Sequence, residues 1–392
     1  MPERDDNALA RRIAHEAESL REHAQWRTLE HPVGTNLCSN DYLGLATDPR
    51  LKGAVAEAVA RAEAMGATGS RLLSGNAVEW ERLEAEFAEF AGTEAALYFG
   101  SGYAANIGLL SSILGPGDIV FSDALNHASL IDGMRLSRAQ KVIYPHGDLE
   151  FLEGALREHA GAAGAKAIVS ESAFSMEGDV APVDSLLRLG RDYGAELVLD
   201  EAHATGVLGP RGRGVAMLRD AARDSFAIVH TCGKALASAG AFVCGSESLK
   251  QYLVNRARTF IFSTAMPPYL AGQVRGALEL AMEADEQRKH LRAIADLLRE
   301  ELRRAGIAFG ASETQIVPVL CGTNEAALHV ASALQEKGFA VRAIRPPTVP
   351  AGTARVRLSL TAKITREDIL RLSEAMRAAF ESHPGRSATV HA

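Results

Sequence analysis

The sequence predicts an α/β fold, in which a mostly parallel central sheet carries helices on both faces and a smaller C-terminal α+β domain follows. Beyond residue 80, helical patterns alternate with short apolar runs, which is typical of βαβ units and a parallel sheet. Around Pro267 and Pro268 this alternation ends and a long helical pattern begins. The predicted strands of the central sheet are residues 95–99, 119–121, 141–144, 167–169, 196–199, 228–231 and 242–244.

The chain is predicted to begin with an arm over residues 1–46. Leu9, Ile13, Ala17 and Leu20 recur every three or four residues among charges, which predicts an amphipathic helix. A second helix is expected from the Asp48-Pro49 start signal to about Met65. We assign residues 47–270 to a large domain, 271–384 to a small C-terminal domain and 385–392 to a frayed tail.

The small domain is predicted to open with one long helix and to continue with mixed elements. Apolar side chains between Leu278 and Leu302 share one face of this helix, which ends at Gly306. A strand over 316–320, a helix over 325–337 and a strand over 355–360 follow.

Composition excludes several classes of function. The 42 basic and 49 acidic residues give a net charge of −7, so the chain as a whole has no electrostatic drive towards nucleic acid. The four cysteines are scattered without a CxxC pair, which argues against a disulfide framework and a structural zinc site. The N-terminus is charged from its third residue and lacks the apolar segment of a secretory signal, and we therefore expect a cytoplasmic protein without a membrane anchor.

Asp200 and His203 follow an apolar run in the sequence ELVLDEAHATG (196–206). Ligands collect at the carboxyl ends of strands in open α/β sheets, so these side chains are candidates for a binding site. A strand that simply ends in polar residues is the alternative interpretation.

Lys234 follows the next predicted strand within TCGKALASAG (231–240). An isolated lysine is usually a solvated surface charge. Residues 235–245 contain no charge, however, which favours a buried lysine with a lowered pKa, the type used for Schiff bases.

Two further segments complete the candidate site. The glycine-rich turn in FGSGYAAN (99–106) precedes an apolar helix, whose N-terminus could bind a phosphate or could form a plain packing turn. His127, in Asn126-His127-Ala128-Ser129, could cap a helix or face a ligand. An imine-forming lysine, a carboxylate, a phosphate seat and a stacking aromatic ring together indicate pyridoxal 5′-phosphate (PLP), and no metal is expected.

Eight motifs spread over nearly the whole chain resemble those of the α-oxoamine synthases. This family comprises fold-type I PLP enzymes that join an amino acid to an acyl thioester with loss of CO2. The motifs are NDYLGL (40–45), GATGSR (66–71), SGYAAN (101–106), HASLIDG (127–133), ESAFSMEGD (171–179), DEAHATG (200–206), TCGKALASAG (231–240) and FSTAMPP (262–268). The resemblance makes 47–270 the PLP-binding domain and implies a homodimer with a shared active site.

The resemblance also implies roles for individual residues. It makes Lys234 the imine lysine, Asp200 the partner of the ring nitrogen, His203 the neighbour of the ring hydroxyl and His127 the stacking and proton-donating histidine. Further cofactor contacts are implied for Gly102, Tyr103, Ser175, Thr231, Ser263 and Thr264, the last two reaching the neighbouring subunit. Substrate contacts are implied for Arg27, Asn40, His127, Thr348 and Arg357. Trp80 departs from the family pattern, because relatives usually carry a histidine at this position.

The stretch RAIRPPTVPAGTARVR (342–357) bears on the acyl donor. Its four arginines and lack of acids predict a carboxylate pocket, with a basic surface strand as the alternative. The stretch is most similar to family members that use L-alanine and a pimeloyl thioester, carried by coenzyme A or a carrier protein. Glycine with acetyl-CoA or succinyl-CoA, and serine with a long-chain acyl-CoA, stay open. A PLP-binding module without catalysis is disfavoured, because neither terminus has the length or the basic charge of a DNA-reading domain.

Overall fold

The computed structural model describes residues 7–382, so Met1–Asp6 and the predicted tail lie outside the described residues. Its helices are α1 Ala8–Glu22, α2 Pro49–Arg61, α3 Val78–Ala91, α4 Gly102–Ile113, α5 Ala128–Ser137, α6 Leu149–Glu158, α7 Val183–Tyr193, α8 Val215–Leu218, α9 Glu247–Arg256, α10 Arg258–Ile261, α11 Pro268–Glu283, α12 Asp285–Arg304, α13 Asn324–Glu336 and α14 Arg366–Ser382. Its strands are β1 Thr35–Asn36, β2 Ala95–Phe99, β3 Ile119–Asp123, β4 Gln140–Tyr144, β5 Lys166–Glu171, β6 Glu196–Asp200, β7 Ala227–Thr231, β8 Ala241–Gly245, β9 Ile316–Gly322, β10 Phe339–Ala340, β11 Ala343–Ile344 and β12 Ala354–Ser359.

All seven predicted runs lie in one sheet, with the strand order β2-β8-β7-β6-β5-β3-β4. Strand β8 is antiparallel to both of its neighbours, and the other pairs are parallel. The carboxyl ends of β2, β3, β5, β6 and β7 therefore meet at one edge of the sheet. This confirms the predicted fold class and brings the polar residues that follow these strands to the same edge.

Helices cover both faces of the sheet, because consecutive strand residues point into two different cores. Leu197, Leu199 and Ile228 belong to one buried cluster, whereas Val198 and Val229 belong to the other. The remaining strands form an antiparallel sheet of order β11-β12-β9 and a parallel pair of β1 and β10.

The long helix predicted after residue 268 is instead two helices, α11 and α12, and the prediction of one helix is wrong. Ala284 interrupts the helix with φ −83° and ψ 38°. The Arg288 guanidinium donates to the carbonyl oxygens of Ala281 and Met282, and to Asp285 at 2.6 Å. These bonds satisfy the last carbonyls of α11, so the break leaves them paired. In residues 7–382, no helix is both long and apolar enough to span a membrane.

His230 is a buried histidine near the end of β7. Its Nδ1 lies 2.9 Å from the hydroxyl of Thr205, which itself donates to the Glu201 carbonyl, so Nδ1 is assigned as the donor. Its ring meets Phe87 and Phe90 edge-on, and Nε2 has no hydrogen-bond partner among the described residues. Burial lowers the pKa of His230 to about 3.

Acid is therefore expected to destabilise the fold through His230. Between pH 6.5 and about 3 the unfolded chain binds a proton that the folded chain excludes, so stability falls as the pH falls through this range. The slope from this residue is at most about 1.4 kcal/mol per pH unit. Urea unfolding at pH 7, 6 and 5 should give a flatter pH profile for His230→Leu than for the native protein. Parallel profiles would contradict the assignment.

Candidate functional site

A cavity of about 320 Å³ lies at the carboxyl ends of the central strands. This volume suits a small cofactor with its substrate. Eight residues predicted for the site line it, namely Asn40, Gly102, Tyr103, His127, Asp200, His203, Thr231 and Lys234. The fold thus brings together residues from five separate motifs of the sequence.

Asp200 is the last residue of β6 and is 4% exposed. Its Oδ1 accepts from the Ala202 backbone N–H at 2.9 Å, and its Oδ2 accepts from Asn106 Nδ2 at 2.7 Å. The same Asn106 nitrogen also donates to the Ser129 hydroxyl at 2.8 Å. These bonds fix the orientation of the carboxylate before any ligand binds.

Lys234 is half-buried in the turn between β7 and β8. The turn is closed by Cys232 N–H donating to the Gly240 carbonyl and by Ser238 N–H donating to the Cys232 carbonyl, both at 2.9 Å. Burial lowers the pKa of Lys234; the negative charges of Asp200 and Glu171 oppose this shift in part, and the positive charge of Arg357 adds to it. A lysine in this state supplies a free amine more readily than a surface lysine, as Schiff-base chemistry requires.

His127 caps α5 and also lines the cavity. A role as helix cap is therefore compatible with a position that faces a ligand. Its Nδ1 accepts from the Ser129 backbone N–H at 3.2 Å, which leaves Nε2 as the protonated nitrogen of the neutral ring. Partial burial lowers the pKa of His127, and the charge of Lys234 lowers it further. The ring is therefore neutral near pH 7 and offers an N–H donor.

His203 is buried and hydrogen-bonded through Nδ1 to the Tyr42 hydroxyl at 2.6 Å. Burial holds its pKa well below the usual value, and the charge of Lys234 adds to this effect. Tyr42 also donates to Asn40, which connects the histidine to another residue of the cavity.

The phosphate seat predicted from the glycine-rich turn is the N-terminus of α4. Ser101 caps this helix by accepting from the Ala104 N–H at 3.1 Å. A Cβ at Gly102 would lie 2.7 Å from Thr231 Cγ2, so only glycine lets the turn approach β7 this closely. Tyr103 is 44% exposed and bonds through its hydroxyl to Asp132.

Asn106 and Glu171 line the cavity but were missed in the sequence. Glu171 ends β5 beside Asp200 in the register of the sheet, and its Oε2 accepts from the Ser175 N–H at 3.0 Å. Burial, together with the negative charge of Asp200, raises the pKa of Glu171 to about 8. Glu171 is a polar residue at the end of a buried strand, the same signal that identified Asp200. Asn106 lies one helical turn after Gly102, which could have identified it as a neighbour of the glycine-rich turn.

The cavity residues fit PLP. Among the described residues, Asn106 Oδ1 and Glu171 Oε1 are buried without a hydrogen-bond partner, as expected of groups that await a polar ligand. The exposed N–H groups at the start of α4 suit a phosphate, the lowered pKa of Lys234 suits an aldehyde, and Asp200 suits a pyridine nitrogen.

The other predicted residues lie outside the cavity lining. Arg357 donates to the Ser175 carbonyl at 2.5 Å and to Asn40 Oδ1 at 3.3 Å, so it supports a cavity residue from behind. Arg27 and Thr348 are exposed and bond to each other at 3.2 Å. Ser263 and Thr264 are exposed on the segment between α10 and α11.

The four arginines of residues 342–357 are spread over separate partners. Arg342 pairs with Glu30 at 2.9 Å, Arg355 pairs with Glu177 at 2.8 Å, and Arg345 donates to backbone carbonyls of the N-terminal arm. Arg357 alone among the four contacts a residue that lines the described cavity. The four arginines therefore do not form a single cluster. Three of them bind other segments of the chain, and Arg357 borders the cavity.

Comparisons with known proteins give a consistent family. The model of the family described as aminotransferase class I and II matches residues 32–376. The chain is 47% identical to an 8-amino-7-oxononanoate synthase of Geobacter sulfurreducens over 94% of this chain and 97% of the relative. It is also 47% identical to the Azoarcus sp. enzyme of that name, over 86% of each.

Two solved structures extend this finding. The structure of 8-amino-7-oxononanoate synthase from Francisella tularensis is 27% identical, with a TM-score of 0.77 over 89% of this chain and 98% of that one. A lysine-to-alanine variant of serine palmitoyltransferase from S. paucimobilis, with a bound PLP–myriocin aldimine, is 28% identical, with a TM-score of 0.87 over 96% of this chain and 98% of that one.

Proposed function

Because the chain belongs to the aminotransferase class I and II family, and within it to the PLP-dependent α-oxoamine synthases, we propose that it makes 8-amino-7-oxononanoate for biotin biosynthesis. In this reaction L-alanine condenses with a pimeloyl thioester, and CO2 and the free thiol are released. The observation that carries the proposal is the convergence of Lys234, Asp200 and His127 on one cavity. The identity of 47% to enzymes of that name supports the choice of substrates.

Lys234 carries the cofactor and then moves a proton. Its Nζ would hold the cofactor aldehyde, and its free amine would take the α-proton of the bound amino acid. PLP, when bound, supplies an electron sink that stabilises negative charge on the α-carbon. Asp200 pairs with the ring nitrogen and favours its protonated form, which strengthens that sink.

The remaining residues hold the cofactor and complete the bond changes. His127 would stack on the ring and would donate its Nε2 proton to the thioester oxygen as the α-carbon bonds to the carbonyl carbon. That proton would pass to the sulfur as the carbonyl re-forms and the thiol leaves. The carboxylate of the amino acid would then leave as CO2, the electron pair of the broken bond would stay with the α-carbon, and the Lys234 amine would return a proton to that carbon. His203 lies beside the ring hydroxyl, Ser175 and Thr231 are further contacts, and Gly102 with Tyr103 forms the phosphate side. Asn40, supported by Arg357, is assigned to the amino acid.

Another α-oxoamine synthase reaction is the second candidate. Serine palmitoyltransferase gives the higher TM-score of the two structures, 0.87 against 0.77. Backbone similarity is shared across the family, however, whereas the relatives at 47% identity over most of the chain carry the name 8-amino-7-oxononanoate synthase. We therefore favour alanine and the pimeloyl donor.

The direct test is thiol release by the purified protein with PLP, L-alanine and pimeloyl-CoA, with the product mass measured in parallel. Alanine-dependent release with the mass of 8-amino-7-oxononanoate is the expected result. Release only with glycine, or only with another thioester, would overturn the choice of substrates and keep the reaction type. A pimeloyl carrier-protein substrate in the same assay distinguishes the two forms of donor.

Arg27 and Thr348 are assigned to the distal carboxylate of the acyl donor. Arg27→Ala is expected to lower kcat/KM for pimeloyl-CoA by roughly 10- to 100-fold, the usual cost of losing a charged hydrogen bond. Heptanoyl-CoA, which lacks that carboxylate, should respond little to the substitution. Arg61→Ala, which removes an exposed arginine paired with Glu57, is the control. Equal losses with both thioesters would contradict the assignment.

We also infer a cytoplasmic homodimer. Ser263 and Thr264 are exposed beside Phe262, which is 71% exposed, and this arrangement suits a segment that reaches a second copy of the chain. The four cysteines are free thiols, which suits a reducing compartment. Light scattering should give twice the mass of one chain, and the mass of one chain at micromolar concentration would contradict the dimer.

A further inference from the structure

Trp80 is the largest fully buried side chain of the described protein and occupies the first turn of α3. It lies outside the cavity lining, and it contacts β2 through Tyr98 and the segment between α10 and α11 through Met266. Its indole stacks on Tyr98 of β2, with ring centroids 4.1 Å apart and an angle of 24° between the ring planes. Its Nε1 donates to the Met266 carbonyl at 3.2 Å.

The Tyr98 contact leads to the turn that carries Lys234. The Tyr98 hydroxyl donates to the Ala239 carbonyl at 2.9 Å. A Cβ at Gly240, which has φ +84°, would lie 2.0 Å from that hydroxyl, so the tyrosine packs directly against the end of the turn. Because the Cys232 N–H bonds the Gly240 carbonyl, Tyr98 contacts the closed base of the Lys234 turn.

The Met266 contact leads to the segment that carries Ser263 and Thr264. The Ala265 N–H donates to the Gly69 carbonyl at 2.9 Å, which attaches the same segment to the GATGSR motif. The Met266 Sδ also lies 3.7 Å from the position of a Cβ on Gly100, immediately before the phosphate seat. A change in the position of Met266 would therefore move the segment of Ser263 and Thr264, which is assigned to the neighbouring subunit's cofactor, and would disturb Gly100 before the phosphate seat of its own subunit.

We propose that Trp80 is a positioning residue that sets the Lys234 turn, through Tyr98, and the segment of Ser263 and Thr264, through Met266, at a fixed separation. The inference rests on the proposed roles of Lys234, Ser263 and Thr264 in cofactor binding. A stacked indole can do this because its two contacts are of different kinds. Its face packs on one segment while its N–H bonds the other.

Two aromatic variants test the contact of Trp80 with Met266 and the contact of Tyr98 with Ala239 separately. Trp80→Phe keeps an aromatic face for Tyr98 but loses the donor to Met266, and we expect the Kd of PLP to rise roughly 5- to 20-fold. Tyr98→Phe keeps the stack but loses the bond to Ala239. We expect it to move the midpoint of the pH titration of the visible absorbance of bound PLP by roughly half a pH unit or more.

The readouts distinguish positioning from simple stabilisation of the fold. Trp26→Phe replaces the other tryptophan of the chain, which is 42% exposed, and should leave both readouts unchanged. If Trp80→Phe and Tyr98→Phe lower only the melting temperature, with Kd and absorbance titration as in the native protein, the proposal is wrong. All measurements use PLP without substrates, so a failure of the proposed condensation leaves this test intact.

Discussion

Lys234→Ala is expected to remove the visible absorbance of the lysine-bound cofactor and to lower turnover by roughly 10³-fold or more. The physical reason is that the Lys234 amine both holds the cofactor and moves the α-proton in the proposed reaction. Among the residues that line the cavity, it is the lone lysine. The substitution truncates a half-buried side chain, so the fold should survive. Absorbance between 300 and 500 nm and thiol release measure the two effects.

The matched control for this variant is Lys289→Ala, which removes an exposed lysine paired with Glu286. It should retain the absorbance and the turnover of the native protein. Borohydride reduction followed by peptide mass analysis should place the cofactor on the peptide that contains Lys234. Full activity of Lys234→Ala, or a label on another lysine, would sink the assignment.

Asp200→Asn is expected to bind PLP but to lose α-proton exchange of L-alanine by roughly 10²-fold or more. Asparagine has the size of aspartate but no charge to favour a protonated ring nitrogen. The structure adds a second cost. Both carboxylate oxygens of Asp200 accept hydrogen bonds, and an amide NH2 placed at one of them would face the Ala202 N–H or the Asn106 amide.

Deuterium exchange at the α-carbon of L-alanine, followed by NMR, measures this effect without an acyl donor. Asp192→Asn is the control, because Asp192 is an exposed carboxylate on α7 that pairs with Arg188 and does not line the cavity. Unchanged exchange in Asp200→Asn would contradict the role of Asp200. Loss of PLP binding together with exchange would instead mean that Asp200 mainly holds the cofactor in place.

Two other predictions, the loss of stability in acid through His230 and the weaker PLP binding of Trp80→Phe, have a cause that sequence patterns do not contain. Both residues act through the environment that packing creates around them. His230 has a low pKa because two phenylalanines and the sheet exclude water. Trp80 connects segments that lie 18 and 186 positions away in the chain.

The seven central strands could be predicted because each is a short apolar run between helical patterns, a signal held within a few neighbouring residues. Asp200 and Lys234 could be identified for a similar reason, since a polar residue after a buried strand is visible in the local sequence. Glu171 carried the same signal but was not selected. The break at Ala284 was missed because no glycine or proline marks it, and the Arg288 side chain pairs carbonyls at the end of the preceding helix.

The partners of the arginines in residues 342–357 could not be predicted from the local sequence. The sequence indicated their number and sign, but their partners lie far away in the chain: Glu30 for Arg342, Glu177 for Arg355, and Ser175 with Asn40 for Arg357. Charge counting could not show that packing pairs these arginines with several separate segments, and the carboxylate pocket stays a prediction.

By itself the sequence determined the fold class, the positions of the seven central strands along the chain and the chemical groups available for PLP. These follow from periodicity and residue type. Only the tertiary structure decided which groups meet. Strand order placed Glu171 beside Asp200, and burial then set the pKa of Glu171, Lys234 and His203. Desolvation and long-range pairing depend on neighbours that the chain brings together only when it folds, and these neighbours give the site its chemistry.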